Sequence, residues 1–328
     1  MKILVTGGAG FIGSHVCDRL VERGDEVHAL DNLSLGRKDH IAHHLSQAGK
    51  PVPPVERPTF RFFEADLLDF EALRATFSDG RYDAVFHMAA NSDVQRSVAE
   101  TDLDLHQTFL TTWHVLDCAR QFGVPEILFP SSSTVYGPRD EPIAEDSGPL
   151  FPVSLYGAAK LAAEGFLSAY AALYDLRVWI FRLPNVVGPR MTHGCVFDFM
   201  QRLRADPSRL RVLGDGRQSK PYVYVDDLLD AMFLAWERSR EPVNYFNVGV
   251  EDKVSVRRIA EIVIEAMGLR DVQIEYTGGK RGWPGDVPTY QYDFGKIHAL
   301  GWKARFSSAE AVRRAVRMSL TTRMKAKG

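Results

Sequence analysis

The sequence predicts an α/β protein: a doubly wound parallel sheet with helices on both faces, followed by a smaller α/β lobe. Three observations carry that expectation. Short β-branched runs alternate with stretches of helical periodicity. The first run ends in glycines and leads straight into a helical stretch. After about Leu183 the pattern breaks into shorter elements punctuated by glycine and proline.

Residues 2–6 form the first apolar run and end in glycines, and residues 11–23 then carry Ile12, Val16, Leu20 and Val21 at helical spacing. This reads as strand, tight turn and helix. Further strands are expected at 26–31, 61–64, 84–88, 127–130 and 178–181, with helices at 71–77, 110–122 and 156–174. Residues 35–58, with Pro51, Pro53, Pro54 and Pro58, predict a surface loop. Second-lobe helices are expected at 196–204, 226–238, 255–267 and 308–319. The predicted division is 1–182 and 183–328, with runs at 222–225 and 245–248 able to return the intervening chain to the first sheet.

Composition excludes several function classes. The 328 residues hold 40 Lys+Arg against 42 Asp+Glu, a net charge of −2, so nothing draws the chain as a whole to nucleic acid or an anionic membrane. No run approaches the roughly 20 apolar residues of a membrane span. The opening Met1-Lys2-Ile3-Leu4-Val5-Thr6 is too short an apolar segment for a signal peptide, and a cytoplasmic setting is expected. Cys17, Cys118 and Cys195 are widely spaced, which predicts reduced core thiols. His43-His44 has no metal-ligand spacing around it, so no metal is expected.

Thr6-Gly7-Gly8-Ala9-Gly10-Phe11-Ile12-Gly13 follows a predicted strand and opens a predicted helix. Gly7, Gly10 and Gly13 permit a tight turn, close approach to a pyrophosphate and close packing of helix on sheet; the helix start offers free N–H groups. Phe11 and Ile12 belong to the same helix start. Eighteen residues after Gly13, Asp31 ends the second strand, where a carboxylate can accept hydrogen bonds from ribose hydroxyls and repel a 2′-phosphate. This Rossmann-type arrangement favours NAD over NADP, although Arg37 and Lys38 lie near enough to compensate a phosphate. Asn32, Asp66-Leu67 after the third strand and Ala89-Ala90 after the fourth complete the expected cofactor contacts.

Tyr156 and Lys160 stand four apart on a predicted helix and so share a face, which lets an ammonium stabilise a phenolate. Ser131-Ser132-Ser133-Thr134-Val135-Tyr136-Gly137 falls where the fifth strand ends, at the ligand edge of such sheets. These motifs, with the segments 182–190 and 222–227, make the chain resemble an extended short-chain dehydrogenase/reductase of the nucleotide-sugar epimerase/dehydratase family. It is most similar to the UDP-galactose 4-epimerase-like branch, including at Arg281-Gly282-Trp283-Pro284-Gly285-Asp286.

The resemblance implies that Ser132, Tyr156 and Lys160 are catalytic. It implies that Asn185, Lys220, Arg281 and Asp286 grip the substrate with Ser132, and that the active form is a homodimer packed through helices 110–122 and 156–174. Related 4,6-dehydratases carry Asp-Glu after the catalytic hydroxyl, where this chain has Ser133-Thr134. Neither can act as a carboxylate acid or base, which favours C4 epimerization of a UDP-hexose through a transient 4-keto sugar. The competing readings are a dehydratase or dehydrogenase, an epimerase of another carbon or another nucleotide, and a catalytically silent nucleotide sensor.

Overall fold

The computed structural model describes residues 1–46, 60–139 and 141–325. Its elements begin β1 (Lys2–Thr6), α1 (Phe11–Glu22), β2 (Glu26–Asp31), α2 (Ala42–Leu45), β3 (Phe60–Glu64), α3 (Phe70–Gly80) and β4 (Ala84–His87). Then come α4 (Thr111–Phe122), β5 (Glu126–Ser132), α5 (Leu155–Tyr174), β6 (Arg177–Leu183), β7 (Asn185–Val187), α6 (Cys195–Ala205), β8 (Arg209–Val212) and β9 (Ser219–Lys220). The chain continues with β10 (Tyr222–Tyr224), α7 (Val225–Arg238), β11 (Val243–Asn247), β12 (Val254–Ser255) and α8 (Val256–Ala266). It closes with β13 (Gln273–Tyr276), α9 (Gly295–Ala299) and α10 (Ser308–Lys325).

Seven parallel strands form one sheet in the order β11-β6-β5-β4-β1-β2-β3. The direction of winding reverses between β1 and β4, where Thr6 stands beside His87, and a crevice opens at the carboxyl ends of such strands. Val16 and Leu20 of α1 join Leu228, Met232 and Trp236 of α7 in the core on one face. On the other face, Leu73 and Phe77 of α3 pack with Val115 of α4 and Ala163 and Leu167 of α5. Each such buried Val, Leu or Phe contributes on the order of 1.5–3 kcal/mol. Ser154 caps α5 by accepting from Gly157 N–H at 3.1 Å, which starts the helix at the cleft and puts Tyr156 in its first turn.

The second lobe builds its own core from α6, α8 and α10 against β7, β8 and β10, with Phe199, Leu210, Ile259 and Val316 buried. The chain does not stay there. β11 returns to the large sheet beside β6, and Tyr290, Tyr292 and Phe294 join the core under that sheet. The run at 222–225 behaves differently from expectation: β10 pairs with β7 in a separate two-stranded sheet. The edge of β6 is already taken by β11, and β10 leads directly into α7. The expected surface loop also differs, because residues 38–45 form short helical turns that bury Ile41 in the main core. The four prolines of that loop lie outside the described residues. Among the described residues no helix is long and apolar enough to cross a membrane.

Candidate active site

A cleft of about 620 Å³ runs along the carboxyl ends of the parallel strands and on between the two lobes. Its floor is the glycine turn. Gly7 has φ +65°, and a Cβ there would lie 2.7 Å from Ala89 N, so glycine alone lets the turn seat against the end of β4. A Cβ on Gly13 would stand 2.1 Å from the Gly7 carbonyl oxygen, so α1 sits directly on the turn. Gly10 precedes α1 without a side-chain cap, which leaves the first N–H groups of the helix facing the cleft for an anion.

Asp31 lies at the cleft's cofactor end, with its carboxylate accepting from Ala9 N–H at 3.0 Å and Leu33 N–H at 2.8 Å. Burial raises its pKa, and those two N–H groups oppose the rise. Each carboxylate oxygen keeps a further lone pair for a hydroxyl. Asn32 donates to Asp66 at 3.0 Å, tying the ends of β2 and β3 together. Gly7, Gly10, Phe11, Ile12, Gly13, Asp31, Asn32, Asp66, Leu67, Ala89 and Ala90 all line the cleft. The donor set and the glycine cradle fit a dinucleotide.

At the other end, β5 finishes at Ser132, which lies in the cleft with Tyr156 and Lys160. Thr134 donates to Ser132 Oγ from both its backbone N–H, at 3.2 Å, and its hydroxyl, at 3.0 Å. Burial raises the Tyr156 phenol; the Asp104 carboxylate adds to the rise and a hydrogen bond with Ser132 opposes it. Lys160 is 2 % exposed. Its Nζ donates to the Pro130 carbonyl at 2.7 Å and lies 4.3 Å from the Phe129 ring centre. The ammonium is 5.8 Å from the Tyr156 ring centre, on the expected helix face, but its hydrogen bond goes to the strand rather than to the phenol. Burial pushes Lys160 down to about 7.

Behind this pair lies a buried network. Ser131 Oγ donates to Glu164, and Arg182 grips the same carboxylate with Nε at 3.0 Å and Nη2 at 2.6 Å. Arg182 also donates to Tyr136 Oη at 2.9 Å, and Tyr136 in turn to Asn247 at 2.7 Å. The base-bearing helix is thereby bonded to β5, β6 and β11.

Of the expected substrate contacts, Asn185, Lys220 and Asp286 line the cleft. Asn185 Nδ2 is a buried donor without a partner among the described residues, a group that a ligand acceptor would satisfy. Lys220 Nζ sits 2.5 Å from Asp286 Oδ1, so the two expected substrate contacts hold each other. Arg281 departs from expectation: it is exposed and stands off the cleft walls. Gly282 N–H donates to Asp286 Oδ2 at 3.1 Å, and this turn presents Gly282 and Trp283 to the cleft instead.

Sequence reasoning passed over several groups. Tyr290 lines the cleft with its phenol raised by burial and hydrogen-bonded to Ser133. Gln218 carries a buried Oε1 without a partner among the described residues. Asp104 is 1 % exposed, and its only signal in the sequence is its spacing of four from Thr108. Thr108 donates to Asp104 at 3.2 Å. Thr112 bonds the Thr108 carbonyl at 2.6 Å and His87 at 3.0 Å. Cys17 and Cys118 are buried and Cys195 is half-buried, and all three thiols are free. Away from the cleft, His43 and His44 both reach Asp18 Oδ1, at 2.8 and 2.7 Å, while Arg190 pairs with Oδ2 at 2.7 Å. Asp18, His43 and His44 bring their side-chain ligand atoms within 4.8 Å of one another, a grouping that the local His43-His44 sequence does not reveal.

The switch-point cleft, the glycine cradle and the Ser/Tyr/Lys group define a dinucleotide-dependent enzyme of the short-chain dehydrogenase/reductase type. The chain belongs to the NAD dependent epimerase/dehydratase family, whose model matches residues 3–249. The UDP-glucose 4-epimerase of Mycolicibacterium smegmatis is 33% identical over 323 residues, covering 96% of this chain and 97% of its own length. A crystal structure of a UDP-galactose 4-epimerase superposes with TM-score 0.84 at 39% identity, covering 99% of this chain and 100% of that one. The Thermus thermophilus UDP-glucose 4-epimerase in complex with NAD gives TM-score 0.83 at 34% identity, covering 98% and 99%. The cofactor of this enzyme is NAD.

Proposed function

We propose that this enzyme epimerizes a nucleotide-activated hexose at C4, with UDP-glucose and UDP-galactose as the substrate pair. The observation that carries the reading is the convergence of Ser132, Tyr156 and Lys160 on the cleft while positions 133 and 134 hold hydroxyls, bonded to Tyr290 and to Ser132, and no carboxylate. A dehydratase needs a carboxylate pair at that point to eliminate water. Oxidation and return at one carbon needs only a single proton carrier.

In this reading Tyr156 Oη takes the proton of the sugar 4-hydroxyl while Ser132 Oγ hydrogen-bonds the same oxygen. Lys160 keeps positive charge beside the phenol. Bound NAD, held by Gly7, Gly10, Gly13, Asp31, Asn32 and Asp66, supplies hydride acceptance and return, so the sugar leaves with its redox state unchanged. Asn185, Lys220 and Asp286 hold the nucleotide diphosphate while the 4-keto sugar presents its other face. Residues 1–182 thus carry the cofactor and 183–328 the nucleotide sugar, apart from the segments that return to the main core.

We propose a homodimer packed through α4 and α5, supported by the exposed Phe166, Leu173 and Tyr174 on α5; a monomer in analytical ultracentrifugation would refute it. The free thiols support a reducing, cytoplasmic setting.

A second reading, net dehydration, is favoured by Asp93 and Asp198, which line the same cleft and bear electrostatically on His193. One experiment separates the two. The purified enzyme is incubated with UDP-, GDP-, CDP- and dTDP-hexoses, products are followed by NMR, and the retained cofactor is identified after denaturation. Interconversion of a C4 pair with bound NAD is expected. Accumulation of a 4-keto-6-deoxy product would overturn the epimerase reading in favour of the dehydratase.

A further inference from the structure

Asp104 stands immediately before a wide helical turn, Leu105–Leu110, that packs against α5, with Phe109 edge-on to Phe166 at 5.0 Å. Its carboxylate is 1 % exposed. It accepts from Asn91 Nδ2 at 3.0 Å, from Thr108 Oγ1 at 3.2 Å and from Ser97 Oγ. All three donors are neutral, and among the described residues no cation forms an ion pair with it. A buried carboxylate without a cation is costly, and hydrogen bonds to neutral groups offset only part of that cost.

On α5, the helix against which that turn packs, lies Lys160, equally buried, and among the described residues its one hydrogen-bond partner is the Pro130 carbonyl oxygen. An unpaired buried anion and an unpaired buried cation thus share one poorly screened region, and Asn91, which holds the anion, itself lines the cleft. We propose that Asp104 is a positioning residue: a buried anion, fixed by Asn91, Ser97 and Thr108, that acts across the α5 interface to keep Lys160 an ammonium beside the Tyr156 base. The proposal rests on the catalytic reading of Tyr156 and Lys160 given above.

The other titratable groups facing the pair are few. Glu164 lies one turn further along α5 and favours the ammonium, as Asp104 does. His87 of β4 feels the lysine, and burial holds it neutral, down to about 3. Asp104 alone acts on both members, raising Tyr156 and Lys160 together. Removing its charge therefore moves both ionisations the same way, to lower pH.

The test uses the NAD-loaded enzyme with Cε-13C-labelled lysine, the Lys160 resonance being assigned by its loss in Lys160→Arg. Asp104→Asn keeps the shape and removes the charge. Thr108→Val keeps the charge and removes one hydrogen bond. The expected result is a Lys160 midpoint lower by on the order of 0.5–1 pH unit in Asp104→Asn and unmoved in Thr108→Val. Both limbs of the kcat profile should shift in the same direction. The resonance reads without any sugar, so a wrong substrate or reaction would show in the activity while leaving the Lys160 shift in place. An unmoved midpoint, with kcat reduced equally at every pH, would overturn the proposal in favour of a purely structural role. Should Asp104→Asn not fold, Asp104→Ser is the second neutral variant; failure of both to fold while Thr108→Val folds would also overturn it.

Discussion

Replacing Gly13 with alanine tests the cofactor cradle at its tightest point. The new Cβ would lie 2.1 Å from the Gly7 carbonyl oxygen and 2.8 Å from its carbon, where ordinary contact begins near 3.4 Å. The obstacle is backbone on both sides, so no side-chain rotation relieves it. The glycine turn and α1 must part by more than 1 Å, which withdraws the N–H groups from the phosphate position. Overpacking of this kind costs about 1–3 kcal/mol, and misplaced donors add to it. A combined loss of about 3 kcal/mol corresponds to roughly a hundredfold weaker NAD binding. The assay is NAD content after gel filtration, with thermal unfolding at increasing added NAD. Gly165→Ala is the matched control, since its Cβ meets nothing within 4 Å on the exposed side of α5. That variant should keep its NAD and gain up to about 1 kcal/mol of helix stability. Gly13→Ala purifying with full NAD and unchanged unfolding temperature would refute the reasoning.

Tyr156→Phe should reduce turnover by about a thousandfold while NAD is retained, measured by NMR of the sugar and by cofactor release; normal turnover would remove Tyr156 as the base. Lys220→Ala should raise the apparent substrate dissociation constant more than it lowers kcat, because it removes a cation from the cleft and leaves the buried Asp286 unpaired; unchanged titration calorimetry would refute this. Arg182→Met strands the buried Glu164 and should cost about 3–5 kcal/mol in urea unfolding. Burial lowers Lys160 to about 7, against an ordinary value near 10.4. Between those pH values the unfolded chain binds a proton that the folded chain does not, so this group's contribution to stability rises with pH across that window and is flat below it. Relative to Lys160→Met, the unfolding free energy of the NAD-loaded enzyme should therefore climb from about pH 7 upward.

The parts legible in the sequence are those that local geometry determines. Gly7, Gly10 and Gly13 declare a turn because only glycine fits there, and Tyr156 and Lys160 share a face because a helix repeats every 3.6 residues. The serine run 131–133 falls at the end of a predicted strand, and the family resemblance singles out Ser132 within it. What stayed hidden depends on partners distant in the chain. Lys220 finds Asp286 across 66 residues, and no spacing rule links them. Arg281 and Trp283 differ in which one meets the cleft because of a single turn closed by Asp286. The second-lobe strands β9 and β12 have two residues each, too few for any periodicity to register. Asp104 reads as an ordinary polar residue until its burial is known.

The repeated return of the chain from the second lobe has a mechanical consequence. β11 supplies an edge strand to the large sheet, α7 covers one of its faces, and residues 290–297 insert aromatic side chains beneath it. The lobes are therefore interlaced. Swinging them apart about residue 183 would pull several strands of chain at once and break the bonds that Asn247 makes with Glu145 and Tyr136 in the interior. Thr192, His193, Gly194, Trp283 and Gly285 line the cleft on the second-lobe side, where a nucleotide sugar would enter and leave, away from the glycine turn at the dinucleotide end. In the proposed epimerization, where the cofactor would end each cycle as it began, that construction separates what must be exchanged from what must be kept.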